Sequence, residues 1–520
     1  MKNKRKVLFS VVGIVFILIL IGSYINNYSL LSEAPSKTWS KEVEIGTGRG
    51  KNSPVIIKEE DRLLTAYEDV GKLRICETDL NAKVIKTVDY EIEEELLKNM
   101  MFSKNANGYT LMYNSSKSGQ GYMEKILVDK DLNLINRAVV EGIESTYQVD
   151  DSNIVSLYED KLEVLNTVKN TSVTVPTTKV SVLTASASKD GIQVCYLENE
   201  DDINTFTVKD GIASEPFLVA TMSKSDKITY NNMSSSSDGI NGYILIEEYV
   251  RNEYSATKLI EFPITGGETK ISTLSVNNSK YVINTKGAYS EDGGVFYATM
   301  STAFGKKEVK KSIVSFVVKD GKASNVEVVT RLRDLCIHPY ITDGYSAFLS
   351  FKEKDTYDIN ISSSNESFKN VNNVSRGTEK TMALSYTVEG IMESISYIII
   401  LGFRWILPVL FIGGIVTFLD YAFSEKKKKI VYVILAAIAI GMKSYTVINM
   451  FYGTYASMLP NAIAHIGVGI AICLLIGIIV YTYGYFVYID DLEGIFIGRF
   501  GLFVLLDAIL TLMIFVPLIA

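Results

Sequence analysis

A turn pair followed by an apolar run recurs along the middle of this chain. It stands at Asn107-Gly108-Tyr109, Asp190-Gly191-Ile192, Asn241-Gly242-Tyr243, Gly293-Gly294-Val295 and Asp343-Gly344-Tyr345, with weaker copies at Asp61-Arg62-Leu63 and Ser152-Asn153-Ile154. The middle positions are spaced 46, 45, 38, 51, 52 and 50 residues apart. Each interval is too short for an independent domain and long enough for one supersecondary unit, so the units must stack on one another to bury a core.

Each unit divides into four short runs rich in Val, Ile, Tyr, Phe and Thr, which suit a pleated, half-buried surface. In the fourth unit the runs are Val180–Ala187, Ile192–Leu197, Asn204–Val208 and Ala213–Thr221; in the sixth they are Lys280–Thr285, Val295–Thr299, Ser312–Val318 and Ser324–Thr330. Asp-Gly and Asn-Gly pairs between them supply the positive φ of tight hairpins, and Gly242 is expected to be such a residue. Asp79-Leu80-Asn81, Asp131-Leu132-Asn133 and Gly266-Gly267 stand at the last hairpin of other units. Four strands per unit and a period near 45 residues resemble the β-propeller superfamily in a generic way, without a family signature. No Trp-Asp dipeptide occurs, and Trp39 and Trp405 both lie outside the repeats. The resemblance implies an all-β propeller of about seven four-stranded blades over residues 38–376. A ring must be closed, so the alternating segment Thr38–Ile45 is expected to pair with the last blade near Phe368–Val374, with a glycine-rich link, Gly46 to Gly50, leading on to the first blade.

The flanks differ in character. Residues 1–6 carry Lys2, Lys4, Arg5 and Lys6, and an uncharged run from Val7 to Tyr28 follows. That run is long enough to span a bilayer, and Ser32-Glu33-Ala34 before Pro35 is a poor cleavage site, so residues 7–28 read as an uncleaved anchor with the basic tail in the cytoplasm. Apolar runs recur at Ile398–Phe423, Ile430–Phe451, Ala462–Tyr488 and Ile495–Ile519, which predicts a four-helix transmembrane domain over residues 398–520. Residues 377–397 read as an amphipathic connector helix at the interface. Glu425-Lys426-Lys427-Lys428-Lys429 marks the cytoplasmic side. Gly453–Asn461 then falls outside, Ile489–Gly494 inside, and the C-terminus and the propeller are extracytoplasmic. Lys outnumbers Arg, and Asn, Ser and Ile abound, a composition expected of a bacterium with an AT-rich genome. It accounts for the Asn-x-Ser/Thr matches, among them Asn114 and Asn232.

Within the apolar runs stand Arg404, Lys443, His465 and Asp507. Arg404 and His465 are expected near span ends, as membrane-interface polar residues. Lys443 and Asp507 lie deeper, at roughly 20 and 15 Å from the inner side at helical rise. Opposite charges at similar depth are expected to pair, or to face a polar cavity. Gly467, Gly469, Ala471 and Gly477 suit close helix packing.

Chemistry-bearing motifs are sparse. Residues 41–376 hold 39 basic and 49 acidic groups, a net of −10, which argues against nucleic acid as a partner. Cys76, Cys195, Cys336 and Cys473 show no metal-ligand spacing and read as free, buried thiols. No phosphate-loop, nucleophile-elbow or zincin motif occurs; Gly119-Gln120-Gly121 reads as a turn. Adjacent acidic pairs such as Asp150-Asp151 and Glu247-Glu248 read as solvated turns, and His338 as a structural histidine at the start of the last blade. No catalytic residue, cofactor or metal is expected. The reading that follows is a binding, scaffolding or sensing subunit whose partners are the lipid bilayer and a membrane protein or an extracytoplasmic ligand. The alternatives are a transport or channel component using Lys443 and Asp507, and a propeller enzyme acting on envelope polymers.

Overall fold

The computed structural model describes residues 2–92, 98–117, 120–189, 191–223, 225–304, 308–332, 334–419, 422–455, 459, 463–490 and 495–518. They form two compact units: residues 34–302 with 309–374, and residues 1–33 with 303–308 and 375–520. Asp190 and Gly119, named in the sequence reading of turns, and residues 456–458 and 460–461 of the loop read as Gly453–Asn461 lie outside the described residues.

The first unit is a seven-bladed β-propeller. Blades 1–6 are antiparallel sheets over residues 55–91, 98–141, 143–176, 180–221, 228–273 and 282–328. Blade 7 takes three strands from residues 336–363 and its outermost strand, Val43–Arg49, from the other end of the chain. The first strand of each blade touches the first strand of the next, and the seventh, Cys336–Thr342, returns to the first, Val55–Lys58. Apolar side chains fill the wedges between blades. Leu64 and Ile75 pack in one cluster with Leu111 and Ile126 of blade 2 and with Ile359 and Ile361 of blade 7. Tyrosine hydroxyls add ties across the seams: Tyr90 donates to the Leu132 carbonyl (2.6 Å) and Tyr345 to that of Leu80 (3.2 Å).

Ring closure differs from the expected pairing in its residues. The closing strand is Val43–Arg49, paired with Thr356–Ser363, while Glu366–Asn372 is a short helix (α2). The glycine-rich stretch read as a link is thus part of the strand. A Cβ at Gly48 would stand 2.4 Å from the Glu68 carbonyl oxygen, so glycine lets this strand lie against blade 1. Ser40 strengthens the seam by exchanging two 2.9 Å hydrogen bonds with Ser363. Two other local readings change. Gly242 opens a strand and is absent from the positive-φ residues; the left-handed position of that hairpin is Gly239, φ +86°. What requires glycine at 242 is space, since a Cβ there would lie 2.4 Å from Phe262 Cζ. The run Ala213–Thr221 splits into Ile212–Ala213 and Phe217–Thr221, with Pro216, which has no amide hydrogen to donate, in the gap.

The second unit is helical: α1 (Lys2–Ser32), α3 (Gly377–Gly402), α4 (Ile406–Leu419), α5 (Glu425–Val447, extended by a π-helical turn Ile448–Thr454), α6 (Ile466–Ile489) and α7 (Phe496–Phe515). Five stretches are long and apolar enough to cross a membrane: Phe9–Ser32, Gly377–Leu401, Glu425–Thr454, Ile466–Ile489 and Phe496–Phe515. The expected connector over 377–397 and the start of the expected span from Ile398 are one helix, α3, and the rest of that span is the shorter α4. Pro408 in the first turn of α4 accounts for the interruption, because it is tolerated there and would break the ladder of a continuous helix. Helix α6 runs against α5 and α7: Tyr432 stacks with Tyr488 and meets Phe496 and Phe500, and Tyr483 meets Phe503. Phe9 of α1 reaches Tyr483 as well, so the lysine-bearing starts of α1 and α5 lie at the same end of the bundle. At the other end Asn27 donates to Thr387 Oγ1 (3.2 Å). Gly477 and Gly469 admit Ile440 and Tyr452, whereas Ala471 is exposed.

Candidate functional site

The first strands of the seven blades line a funnel of about 400 Å³ on the propeller axis. Its wall is made of residues that alternate inward along those strands, among them Asn99, Ser145, Ser181, Asn232, Asn284 and His338, with Asn52 from the segment before blade 1. Six of these seven strands break register with their second strand, between Lys98 and Met101, Ile143 and Ser145, Val180 and Val182, Asn231 and Ser234, Ile283 and Lys286, and Ile337 and Tyr340. Four of the irregularities carry a left-handed residue: Asn99 (φ +51°), Asn232 (+46°), Asn284 (+50°) and His338 (+55°). Asn and His tolerate this conformation better than most side chains, and a bulge re-aims the residue it carries. The recurring asparagine was visible in the sequence: Asn99, Asn232 and Asn284 precede Gly108, Gly242 and Gly294 by 9, 10 and 10 residues.

Buried groups behind the wall hold this geometry. Glu247 is fully buried and joins two blades: it accepts from Asn232 Nδ2 (3.1 Å), the Tyr249 hydroxyl (2.7 Å) and the Asn284 backbone amide (2.8 Å). Burial raises its carboxyl above the usual range. It was read from the sequence as one of a pair of solvated acids. In fact strand alternation sends Glu248 outward to Lys258 (3.4 Å) and Glu247 inward. Glu68 plays a similar part in blade 1, accepting from Asn52 Nδ2 at 2.6 Å, while Asn52 Oδ1 accepts from the Met100 amide.

The floor is crossed by Lys286. Its ammonium reaches from blade 6 to the Tyr147 hydroxyl (3.2 Å) and the Gln148 carbonyl (3.0 Å) of blade 3, over the Tyr147 ring and 5.3 Å from that of Tyr340. Lys51 stands on the lining. Burial lowers the His338 pKa below its ordinary value, so the ring is neutral at pH 7. The lining thus holds two ammonium groups, amides, hydroxyls and a neutral imidazole, and its described residues include no carboxylate. Asp151, on the turn after the third first strand, lies 3.4 Å from Lys104, and burial pushes its carboxyl up to about 6. Among the described residues no group of three or more His, Cys, Asp or Glu side chains could hold a metal ion.

The residues singled out in the helical unit fall as follows. Lys443 of α5 and Asp507 of α7 meet at 2.6 Å with both side chains fully buried, and Lys443 also donates to the Cys473 carbonyl of α6 (2.9 Å). His465 is the N-cap of α6, its Nδ1 accepting from the Gly467 amide (3.1 Å). Arg404 sits in the break between α3 and α4, exposed, beside a buried Trp405. All four cysteines are free and buried.

No family model matches the chain, and no curated protein matches it. Among solved structures it is similar to the N-terminal domain of Nup159, at 11% identity and a TM-score of 0.38, over 64% of this chain and 97% of that one. It is also similar to U3-55K (7%, 0.38, 62% and 98%) and to the β-propeller domain of the Trilobed protease from Pyrococcus furiosus (12%, 0.36, 60% and 94%). By its own sheet order and helix lengths the chain is a seven-bladed β-propeller joined to a set of apolar helices of membrane-spanning length.

Proposed function

We propose that this protein is a membrane-held binding subunit whose propeller funnel takes a small polar ligand bearing a carboxylate or phosphate group. The observation that carries this reading is the convergence of all seven first strands on one funnel, with two ammonium groups and no carboxylate on its described lining. Left-handed asparagines cost backbone energy, and such residues cluster at ligand sites. The propeller is read as extracytoplasmic. The lysine-rich starts of α1 and α5 share one end of the bundle, as the excess of cytoplasmic Lys and Arg requires. The chain leaves α1 toward the propeller and re-enters α3 at the other end, where Asn27 meets Thr387. The buried Lys443–Asp507 contact, completed by a backbone carbonyl, supports a structural tie between helices rather than a transport path.

The test is ligand-induced stabilisation of the full-length protein in detergent, titrated with citrate and with inorganic phosphate at constant ionic strength. A ligand that binds only the folded state raises the unfolding midpoint by mass action. The wild type is expected to respond and Lys286→Met to lose most of the response. Equal responses in wild type and Lys286→Met would reject the funnel as the site.

A further inference from the structure

Helices α3 and α4 lie antiparallel to α7 in two pieces. Ser394 Oγ donates to the Leu512 carbonyl (3.3 Å), and further along the path Gly501 lies against Leu410 and Gly413 against Phe500. Counted at equal rise from these contacts, the break at 403–405 faces α7 between about residues 501 and 508, a stretch that includes the level of the Lys443–Asp507 contact and lies at least about 8 Å from either end of α7. That is farther than a single side chain extends. Arg404 is exposed at this level, and no hydrogen bond or ion pair joins its side chain to any described residue. Its surroundings are exposed and apolar: Ile399, Ile400, Phe403, Leu407 and Phe411.

We infer that Arg404 is the docking point for a transmembrane helix of another protein that carries an Asp or Glu near its middle. The inference rests on reading the bundle as membrane-spanning. A guanidinium facing hydrocarbon is costly, and intramembrane cations pair with anions where one is within reach. A second copy of this chain does not supply that anion. The described acids of the helices are Glu379, Glu389 and Glu393 toward the outer part of α3, Glu425 at the start of α5, Asp490 after α6, and Asp507, which is buried against Lys443. None is exposed at the level of Arg404. A self-complementary contact would therefore bring two arginines into one apolar interface, whereas a helix with a central carboxylate matches both the charge and the flat apolar face beside the break.

The experiment uses the full-length protein carrying a donor dye, reconstituted in phosphatidylcholine vesicles at pH 8. The probes are acceptor-labelled oligoleucine transmembrane peptides with one central Asp or one central Asn. Energy transfer should show the Asp peptide bound more tightly than the Asn peptide, by at least about fivefold. Arg404→Gln should bring the ratio to one, and Arg404→Lys should keep it above one. Three results would overturn the inference. They are equal binding of the two peptides to the wild type, a preference that persists in Arg404→Gln, and self-association of the wild type that Arg404→Gln abolishes. The second points to another cation, the first to lipid phosphates as the partner, and the third to a second copy.

Discussion

Replacing Lys443 by Met should strand the Asp507 carboxylate, and replacing Asp507 by Leu should strand the Lys443 ammonium. Both side chains are fully buried and meet at 2.6 Å, so water reaches neither. Removing one partner of a buried pair costs about 3–5 kcal/mol, because the other charge stays uncompensated. Each surviving charge keeps one partner, Lys443 the Cys473 carbonyl and Asp507 the Tyr481 hydroxyl, so the two losses should be of similar size. The double variant removes both charges and leaves apolar side chains of similar size. Such replacements of buried pairs are often neutral or stabilising, so most of the loss should be recovered, a coupling of about 3 kcal/mol. The assay is equilibrium unfolding of the full-length protein and the three variants in mixed micelles, followed by tryptophan fluorescence, since Trp405 lies buried in the same unit. Losses that add to within about 0.5 kcal/mol would mean that the two residues act independently, and would refute the pair as a tie between α5 and α7. A stable double variant lacking a transport activity that the wild type possesses would refute the structural reading instead.

Gly242→Ala should destabilise the propeller by about 1–3 kcal/mol through overpacking, since the new methyl would meet Phe262 Cζ at 2.4 Å and Gln193 Nε2 at 2.7 Å. Unchanged thermal unfolding would show that blade 5 yields there at no cost. Asp151 binds its proton more tightly folded than unfolded, so stability should fall as pH rises from about 4 to about 6, by up to about 3 kcal/mol, and level off above. Asp151→Asn should flatten this window in a pH series of unfolding midpoints; an unaltered slope would assign it to another group. A cysteine at Lys427 or Asp490, in a background without the native thiols, should resist an impermeant reagent in intact cells while one at Glu366 reacts, and labelling at Asp490 would reverse the proposed orientation.

The blade count was legible because the repeat is written in backbone requirements that leave a residue-level mark. Yet the same glycines were misread. Gly242 looked like a positive-φ turn residue and is instead the one residue small enough to lie beneath Phe262, while the turn itself falls three residues earlier, at Gly239. Gly46 and Gly48 looked like a link and form a strand pressed against blade 1. A single sequence records that a side chain is absent, not whether conformation or a neighbour forbids it, and the neighbour comes from a distant part of the chain. The funnel was hidden for a related reason. Its wall takes only a few residues from each blade, and Glu247 matters only because Asn232 and Asn284, 52 residues apart, both reach it. Lys443 and Asp507 were more legible, because a charge in an apolar run admits few environments and helical counting fixes its depth. Arg404 obeys the same rule but was placed by the start of its apolar run at Ile398. Pro408 divides that run, and Leu410 against Gly501 sets the register of α4 on α7, which the run's start does not show. Helix register in such a bundle follows side-chain contacts rather than hydropathy boundaries, and the depth inferred for Arg404 rests on that register, so the same residue reads as snorkelling from its run and as needing a partner from its contacts.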